Sequence, residues 1–444
     1  MNYVIIGNSA AGIGAVEGIR KYDQQGKITI IADEPYHTYS RPLISYYLAG
    51  KVNQEQMKFR PDDFYEKNRV ETILGKRAVK IDQSSKTVSL EDGQQIGFDK
   101  LLLATGGKPF IPPIKGSEME NILTFIKMDD VRAIAERLET AGVKDCQGRE
   151  DYPEKERTVV TGHDQLRPVK AVILGAGLIG LKAAEALVKL GVKVTVVELA
   201  DRVLSTILDH EAAALVQSHL EDKGISFELE DTIEEFIGEK AVRKVRLKSG
   251  FVINCDLAIV AVGVRPKVNL VEGTGIEINR GILVNKKMET NIEDIYAAGD
   301  VAEGYDMLKG TAGVIPIWPN AYNQGLTAGE NMTGADKTYE EGFARNSIGF
   351  FGLPMITAGI INPEGDEYEI LVDKAVEDNT YRKVVLRDDK IVGFIYLNKV
   401  DRAGILTGLI KEQQDIGDIK EKILADDFGY LTFSEEWRRA KLWK

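Results

Sequence analysis

The chain has 444 residues, a formal net charge of −12 and 43% hydrophobic residues. Because a domain usually holds about 100 to 200 residues, this length predicts several domains, most simply three. The acidic balance argues against nucleic acid as a partner, since phosphate contacts need a clustered basic surface. The most apolar stretches, 171–181 and 348–361, are shorter than the ~20 residues of a membrane span, so we predict no membrane-spanning segment.

Cysteine and histidine are too sparse to predict a disulfide framework or a metal site. Cys146 and Cys255 lie far apart in the sequence and form no Cys-x-x-Cys motif. The histidines are isolated from one another, and we interpret them as surface or structural residues: His37, His163, His210 and His219. The first residues run directly into an apolar strand with no room for a secretory signal, so we expect a cytoplasmic protein.

The first informative motif is the glycine turn Gly7-Asn8-Ser9-Ala10-Ala11-Gly12. It follows an apolar strand, 3–6, and precedes a helical segment and a second strand that ends at Asp33 and Glu34. Such a turn places a pyrophosphate on the backbone N–H groups at a helix start, and a carboxylate about 20 residues further on accepts hydrogen bonds from a ribose. The pattern predicts a dinucleotide site in which Ser9 replaces the middle glycine.

A second turn, Gly175-Ala176-Gly177-Leu178-Ile179-Gly180, repeats this arrangement with all three glycines. It follows the apolar strand 170–174, and its matching carboxylate is Glu198. Glu198 favours the free ribose hydroxyls of NADH and repels the additional phosphate of NADPH, although the nearby Arg202 leaves NADPH binding open. We therefore predict NADH. Two such turns indicate two bound nucleotides, with electrons passing between them.

Up to about residue 335 the chain alternates apolar strands with helical stretches, which is typical of a parallel sheet covered by helices on both faces. A charged segment, 144–167, interrupts this pattern and is either a solvated loop or a partner-docking element. Beyond residue 335 the pattern predicts antiparallel strands at 368–372, 381–386 and 391–397, followed by helices from 402 to 424. We predict a separate α+β domain in this last part of the chain.

Further motifs accompany the two glycine turns in a fixed order. They are Leu103-Ala104-Thr105-Gly106-Gly107-Lys108-Pro109, Ala261-Val262-Gly263-Val264-Arg265-Pro266 and Thr290-Asn291-Ile292-Glu293-Asp294-Ile295-Tyr296-Ala297-Ala298-Gly299-Asp300-Val301. In order and spacing, the whole set resembles that of the pyridine-nucleotide-dependent FAD oxidoreductases. This family includes ferredoxin and rubredoxin reductases, the NADH-binding part of nitrite reductase, and NADH oxidases.

The resemblance implies an α/β fold with two Rossmann-like domains, for FAD and NAD(P)H, and a C-terminal α+β interface or dimerisation domain. Residues 1–112 and 267–334 would form the FAD-binding domain, and residues 113–266 the NAD(P)H-binding domain. Residues 335–444 would form the C-terminal domain.

The resemblance also assigns the residues that would hold the cofactors. Asp300 would bind the ribityl chain of FAD, Arg41 would face its pyrophosphate and Ala78 its adenine, while Trp318 borders the flavin ring or is a core aromatic residue. The FAD set is Gly7, Ser9, Ala10, Ala11, Gly12, Asp33, Glu34, Arg41, Ala78, Ala104, Thr105, Gly106, Asp300, Ile317 and Trp318. The NAD set is Gly175, Gly177, Leu178, Ile179, Gly180, Glu198, Arg202 and Gly263.

One departure from the family pattern concerns the redox cysteine. Members that reduce disulfides or peroxides hold a cysteine beside the flavin, and in the oxidase branch it lies four residues before a Tyr-Tyr pair. Here that pair is Tyr46-Tyr47, and Pro42 occupies the cysteine position. We therefore disfavour reduction of disulfides, peroxides and coenzyme A disulfide, and predict that electrons leave from the flavin itself.

A second departure is Lys182, two residues after the third glycine of the second turn. The family commonly has a glutamate there, often paired with a lysine whose position is Tyr46 in this chain. Lys182 either stabilises the negative charge of reduced flavin or turns towards the cofactor phosphates. Lys182 and Tyr46 are the candidate catalytic residues, although hydride transfer requires no side-chain acid or base.

The resemblance predicts an oxidoreductase that transfers a hydride from NADH to flavin N5 and then passes electrons to a redox protein. The acceptor would be a ferredoxin, a rubredoxin or an iron–sulfur subunit, and we expect a homodimer or a subunit of a larger complex. One alternative is an NADH oxidase that reduces oxygen to hydrogen peroxide. The other is a redox-sensing interaction protein that uses FAD and NADH to change its surface.

Overall fold

The computed structural model describes residues 1–143 and 168–442. The charged segment predicted at 144–167, which contains Cys146 and His163, lies outside the described residues, as do positions 443 and 444. Within the described part of the chain, no helix has both the length and the hydropathy required to cross a bilayer.

The first parallel sheet begins with the N-terminal strand. Residues 1–112 contain β1 (Asn2–Ile6), α1 (Ala10–Tyr22), β2 (Lys27–Ala32), α2 (Ile44–Leu48), α3 (Gln54–Met57), α4 (Phe64–Lys67), β3 (Val70–Leu74), β4 (Ala78–Asp82), β5 (Thr87–Leu90), β6 (Gln95–Gly97), β7 (Lys100–Leu103) and β8 (Gly107–Pro109). Strands β7, β1, β2 and β3 pair in parallel in that order. Strands β4, β5 and β6 form a separate antiparallel sheet.

The next part of the chain repeats this plan. It contains β9 (Ile122–Leu123), α5 (Met128–Thr140), β10 (Lys170–Leu174), α6 (Leu178–Lys189), β11 (Lys193–Val197), α7 (His210–Asp222), β12 (Ile225–Glu228), β13 (Ile233–Gly238), β14 (Val242–Leu247), β15 (Val252–Asn254), β16 (Leu257–Val260) and β17 (Val264–Pro266). The second parallel sheet has the order β12-β11-β10-β16-β9, and β13 to β15 form an antiparallel sheet. Strands β8 and β17 pair with each other, so the two segments that connect the parallel sheets lie side by side.

The chain then returns to the first sheet. This part contains β18 (Ile282–Leu283), β19 (Ile295–Ala297), β20 (Ala302–Asp306), β21 (Thr311–Gly313) and α8 (Trp318–Met332). Strand β19 pairs in parallel with β7 and gives the first sheet the order β19-β7-β1-β2-β3. The two parallel sheets are therefore built alike, and the predicted α/β class with two Rossmann-like halves is confirmed.

Each parallel sheet is covered by helices on one face only. Tyr3 and Ile5 of β1 pack with α1 and α8, whereas Val4 and Ile6 pack with Val88 on the β4–β6 side. The second sheet has α5, α6 and α7 on one face and β13 to β15 on the other. The expectation of helices on both faces is wrong, because the segments that cover the second face of each sheet form strands. In β5, for example, buried residues alternate with a period of two.

The C-terminal part forms an antiparallel sheet with both faces covered. It contains β22 (Arg345–Phe350), β23 (Leu353–Gly359), β24 (Tyr368–Ala375), β25 (Thr380–Arg387), β26 (Lys390–Leu397), α9 (Ala403–Glu412) and α10 (Glu435–Leu442), with the sheet order β22-β23-β26-β25-β24. Phe350 and Ile395 join the core of the second nucleotide half, whereas Val384 and Phe394 pack with α9. This sheet is thus fixed to the nucleotide-binding part by a shared core.

The three predicted C-terminal strands lie within β24, β25 and β26, but the predicted helical stretch is shorter than expected. Helix α9 ends at Glu412 because Gln413 adopts a left-handed conformation with φ of 51°. The chain then continues into a 3-10 helix at Gly417–Lys422. A single left-handed residue can end a helix. The amino-acid composition around Gln413 did not indicate that the helix would end there.

Candidate functional site

The first glycine turn needs glycine because the backbone passes very close to a neighbouring strand. Gly7 has a φ of +128°, and a Cβ on it would lie 2.0 Å from the carbonyl oxygen of Ala104. A Cβ on Gly12 would lie 2.0 Å from the carbonyl oxygen of Gly7. Ser9 is the N-cap of α1, but its side chain makes no capping hydrogen bond. The start of α1 therefore retains backbone donors for an anionic group.

The second glycine turn has the same geometry. A Cβ on Gly175 would lie 2.5 Å from the carbonyl oxygen of Ala261, and a Cβ on Gly180 would lie 2.0 Å from that of Gly175. Gly177 differs, because no atom of the described residues lies within 4 Å of its ideal Cβ position. The first and third glycines are thus required by packing, whereas the middle one leaves open space above the turn.

Asp300 lies beside the first glycine turn although it is far away in sequence. The preceding Gly299 donates its N–H to Gln324 Oε1 at 2.9 Å, and a Cβ on it would lie 3.1 Å from Cβ of Ala11. Burial raises the pKa of the Asp300 carboxyl group, and the positive charge of Arg41 opposes this only in part. Among the described residues, no hydrogen bond offsets the burial of this carboxylate. The half-buried Asp300 carboxylate therefore accepts no hydrogen bond from the described residues.

The carboxylates at the end of β2 have different partners. Asp33 Oδ2 accepts a hydrogen bond from Lys267 Nζ at 2.7 Å; burial alone would raise the pKa of Asp33, but Lys267 holds it below its ordinary value. Glu34 accepts from the Tyr39 hydroxyl at 2.5 Å and pairs with Arg41. Asp33 is thus the more accessible of the two predicted ribose ligands, and Arg41 is already neutralised by a carboxylate.

The other predicted FAD residues occupy the ends of strands or the start of a helix. Ala104, Thr105 and Gly106 follow β7, and the Thr105 hydroxyl donates to the carbonyl of Lys267 at 2.9 Å. Ala78 is the first residue of β4 and pairs with Leu90.

Trp318 is the first residue of α8. Ile317 is the N-cap, and the proline that follows Trp318 fits the first turn of a helix. The Trp318 ring packs edge-to-face on Phe59, with 4.9 Å between ring centroids. Both assignments of Trp318 remain predictions, because its ring is half-buried.

Glu198 lies at the end of β11 and binds the second turn itself. Its carboxylate accepts hydrogen bonds from the backbone N–H of Ala176 at 2.6 Å and of Ala200 at 2.9 Å. Arg202 is bound to Asp201 at 2.7 Å and does not pair with Glu198. Among the described residues, no cation pairs with the Glu198 carboxylate beside the turn.

The remaining NAD residues line the same edge of the second sheet. Leu178 and Ile179 form the half-buried first turn of α6, directly after Gly177. Gly263 follows β16 with a φ of +125°, and no described atom lies within 4 Å of its ideal Cβ position.

No reactive thiol stands at the position that the family uses. Pro42 lies in a short 3-10 helix, Arg41–Leu43. Cys255 is 2% exposed, and burial, with the nearby charge of Asp256, raises the pKa of its thiol to about 12. It therefore stays protonated at neutral pH and is a poor nucleophile. Within the described residues, no cluster of three or more metal-binding side chains occurs either.

The arrangement of two alike nucleotide folds is matched by a known family. The model of the pyridine nucleotide-disulphide oxidoreductases matches residues 1–325. The chain belongs to this family. The model of the rubredoxin NAD+ reductase C-terminal domain matches residues 346–414, which cover most of the antiparallel sheet and α9.

Relatives within the family are similar over nearly the whole chain. The chain is 31% identical over 443 residues to the NADH-dependent phenylglyoxylate dehydrogenase subunit epsilon of Aromatoleum evansii, covering 98% of both proteins. It is 32% identical over 417 residues to the nitrite reductase [NAD(P)H] of Bacillus subtilis, covering 94% of this chain but only 48% of that protein. The chain thus spans about half the length of this second relative.

A solved structure supports the same fold. The NADH:rubredoxin oxidoreductase of Clostridium acetobutylicum is 26% identical, with a TM-score of 0.71, and the match covers 94% of this chain and 97% of that one.

Membership of this pyridine nucleotide-disulphide oxidoreductase family implies FAD and a nicotinamide dinucleotide as cofactors, so the protein is an FAD-dependent NAD(P)H oxidoreductase. Its residues fit both groups. The half-buried Asp300 carboxylate has no donor among the described residues, and a flavin side-chain hydroxyl would supply one. Gly177 leaves the space that a dinucleotide phosphate needs.

The candidate catalytic residues Lys182 and Tyr46 contact each other. The Lys182 ammonium lies 4.6 Å from the centroid of the Tyr46 ring and pairs with Glu185. Sequence reasoning missed Glu185, which is 5% exposed. A signal was available, because a glutamate three residues after a lysine on a mostly apolar helix indicates a buried ion pair.

Proposed function

We propose that this protein is an NADH-dependent flavoprotein reductase that delivers electrons to a separate redox protein. When bound, FAD supplies the chemistry: it accepts a hydride at N5 from C4 of NADH, leaving NAD+, and gives up the electron pair one electron at a time. The protein contributes binding, orientation and exclusion of water.

The proposed roles follow from the contacts described above. The start of α1 and the Gly7–Gly12 turn would bind the FAD pyrophosphate, Asp33 the adenosine ribose, and Asp300 the ribityl hydroxyls. Arg41 is paired with Glu34. It would therefore neutralise only part of the negative charge of the pyrophosphate. The Gly175–Gly180 turn would bind NADH.

The observation that carries the proposal is the lack of a thiol relay. Pro42 takes the cysteine position, and Cys255 is buried and protonated. Among the described residues, which do not include Cys146, no cysteine is available to pass electrons on, so we infer that they go from the flavin to an external acceptor. A one-electron iron centre is such an acceptor.

The relatives favour a rubredoxin-type acceptor or a partner subunit. The subunit epsilon of phenylglyoxylate dehydrogenase matches this chain from end to end, and the solved relative is an NADH:rubredoxin oxidoreductase. We infer that the chain serves as the NADH-reactive subunit of a larger assembly or as a homodimer in the cytoplasm.

The test is an anaerobic stopped-flow experiment on the wild type and on the variant Cys146→Ser/Cys255→Ala. NADH should reduce the flavin of both proteins at a rate within the usual range of turnover, roughly 1 to 10³ per second. The reduced protein should then reduce rubredoxin or a ferredoxin faster than oxygen. Loss of acceptor reduction in the cysteine-free variant would contradict the proposal.

Two other outcomes would each favour a different function over the proposed one. Rapid turnover with air alone, unaltered by an added iron–sulfur protein, would indicate an NADH oxidase that forms hydrogen peroxide. Flavin reduction far slower than roughly 1 per second would indicate a redox-sensing role.

NADH rather than NADPH is the proposed donor, because Glu198 places an unpaired negative charge beside the turn. Glu198→Gln keeps acceptor capacity for the ribose but removes the charge that repels a 2′-phosphate. We expect the ratio of kcat/KM for NADH over NADPH to fall by roughly tenfold, about 1.4 kcal/mol. Glu211→Gln is the control, since Glu211 pairs with Lys374 on the surface. An unchanged ratio in the Glu198 variant would exclude this role.

A further inference from the structure

A buried charge cluster lies where the three parts of the chain meet. Lys182 and Glu185 belong to α6, in the NAD(P)H-binding half, and their side chains form a buried ion pair. The Lys182 ammonium also lies over the ring of Tyr46, from α2 of the FAD-binding half. On its other side it donates a hydrogen bond to the carbonyl of Gly349, in β22 of the C-terminal part, at 3.1 Å. One side chain thus contacts all three parts.

The tip of the β22–β23 hairpin is held against the nucleotide half by its backbone. Three consecutive residues take part: the Gly349 carbonyl binds Lys182, the Phe350 carbonyl lies 3.1 Å from His219 Nε2, and the Phe351 N–H donates to Glu185 at 3.0 Å. Because backbone groups are bound, the tip has a single register against α6. It provides a fixed support for Lys182.

These contacts argue against the two roles considered from the sequence. Glu185 pairs with the Lys182 ammonium at contact distance and also with Lys189, so the Lys182 charge is held within an ion-pair cluster and does not stand free to stabilise reduced flavin. The ammonium is directed at the Tyr46 ring and the Gly349 carbonyl, so groups of the protein set its position.

We propose that Lys182 is a positioning residue for hydride transfer. It ties the first turn of α6, which carries the second glycine turn, to Tyr46 and to β22. The nicotinamide is thereby fixed relative to the flavin. This inference rests on the proposed reduction of flavin by NADH.

The expected effect is large because hydride transfer depends steeply on distance. The reacting atoms must lie about 3 to 3.5 Å apart, and a displacement of about 1 Å can slow the reaction roughly 100-fold. In the step itself, the C4–H bond of NADH breaks with its electron pair and an N5–H bond forms on the flavin, so that NADH is oxidised and FAD reduced. Lys182 neither gives nor takes a proton.

The test uses full-length holoprotein and the variant Lys182→Met, which keeps the length of the side chain but loses the charge. Glu185 still has Lys189 and the Phe351 N–H as partners, so the fold should survive, and FAD content and thermal midpoint will check this. At saturating NADH we expect flavin reduction to be roughly 10- to 100-fold slower. The flavin midpoint potential should stay unchanged, and the charge-transfer absorbance on mixing with NADH should weaken.

Matched variants separate positioning from other effects. Lys189→Met is the control, because Lys189 binds the same Glu185 carboxylate but lies over Phe351 and not over Tyr46; its flavin reduction should stay near the wild-type rate. Lys182→Arg should restore part of the rate, because arginine also stacks on an aromatic ring. Tyr46→Leu should slow reduction, and the double variant with Lys182→Met should be no slower than the slower single one.

Several results would overturn the inference. These are an unchanged rate in Lys182→Met, a slow rate with a shifted midpoint potential, additive effects in the double variant, or an equal loss in Lys189→Met. Wild-type flavin that NADH does not reduce would instead refute the proposed function, so the two failures are distinguishable.

Discussion

Replacing Asp300 with alanine is expected to give protein that loses FAD during purification. The carboxylate is half-buried beside the first glycine turn and has no hydrogen-bond donor among the described residues. A hydrogen bond to a charged group contributes about 1.5 to 3 kcal/mol, so its loss should weaken FAD binding by roughly 10- to 100-fold. The measurements are the ratio of flavin to protein absorbance after purification and the Kd for FAD added back to apoprotein.

In the ligand-free protein, the same substitution should increase thermal stability. Because burial raises the pKa of Asp300 above its unfolded value, the charged carboxylate lowers the free energy of unfolding once the pH exceeds the unfolded pKa. Asp300→Ala should therefore raise the thermal midpoint of apoprotein at neutral pH while lowering that of FAD-loaded protein. A purely structural aspartate would lower both midpoints.

Asp294→Ala is the matched control for this prediction. Asp294 precedes β19, the strand that leads to Asp300, and is paired with Lys86 and Lys100 near the surface. We expect this variant to retain its FAD. If Asp300→Ala also purifies with full flavin occupancy, Asp300 does not bind the ribityl chain.

Replacing Gly325 with alanine is expected to cause a large loss of stability. Helices α1 and α8 cross in direct backbone contact, and a Cβ on Gly325 would lie 2.0 Å from the carbonyl oxygen of Ala11. A rigid backbone atom cannot move aside as a flexible side chain can, so the helices must separate. The cost should reach about 3 kcal/mol, at the upper end for overpacking.

The measurement is thermal unfolding followed by circular dichroism and flavin fluorescence. A loss of this size should lower the midpoint by roughly 5 to 10 °C in a domain of this class. FAD release should occur at a lower temperature as well, because Ala11 belongs to the first glycine turn, where we propose that FAD binds.

Gly408→Ala is the opposite-sign control. Gly408 lies inside α9, and no described atom comes within 4 Å of its ideal Cβ position. Alanine should stabilise the helix by about 0.5 to 1 kcal/mol, because glycine is entropically unfavourable within a helix. Equal effects of the two substitutions would mean that the contact between α1 and α8 is not formed as described.

Local patterns predicted the nucleotide folds well. The strand-turn-helix units at both glycine turns need only a short apolar strand, a tight turn and a helical segment, and these are encoded by neighbouring residues. The antiparallel strands near the C-terminus followed from their apolar content for the same reason. The helix boundary at Gln413 did not, since one left-handed residue has a small compositional signal.

The covering of each sheet was not predictable from local pattern. The segments that form β4 to β6 and β13 to β15 are short, and their alternating residues become buried only against the parallel sheets. The partners of charged residues were also missed. Lys267 binds Asp33 across 234 positions, and such a pair leaves no periodic trace in the sequence.

The sequence by itself determined that two dinucleotide folds exist, that glycine is required at their turns and that proline replaces the redox cysteine. These are properties of single positions and of short segments. Only the tertiary structure decided what Lys182 contacts, because its partners Tyr46 and Gly349 come from different parts of the chain. It also left the half-buried Asp300 without a hydrogen-bond donor among the described residues. Burial and charge pairing depend on which distant segments pack together, and local sequence does not specify that.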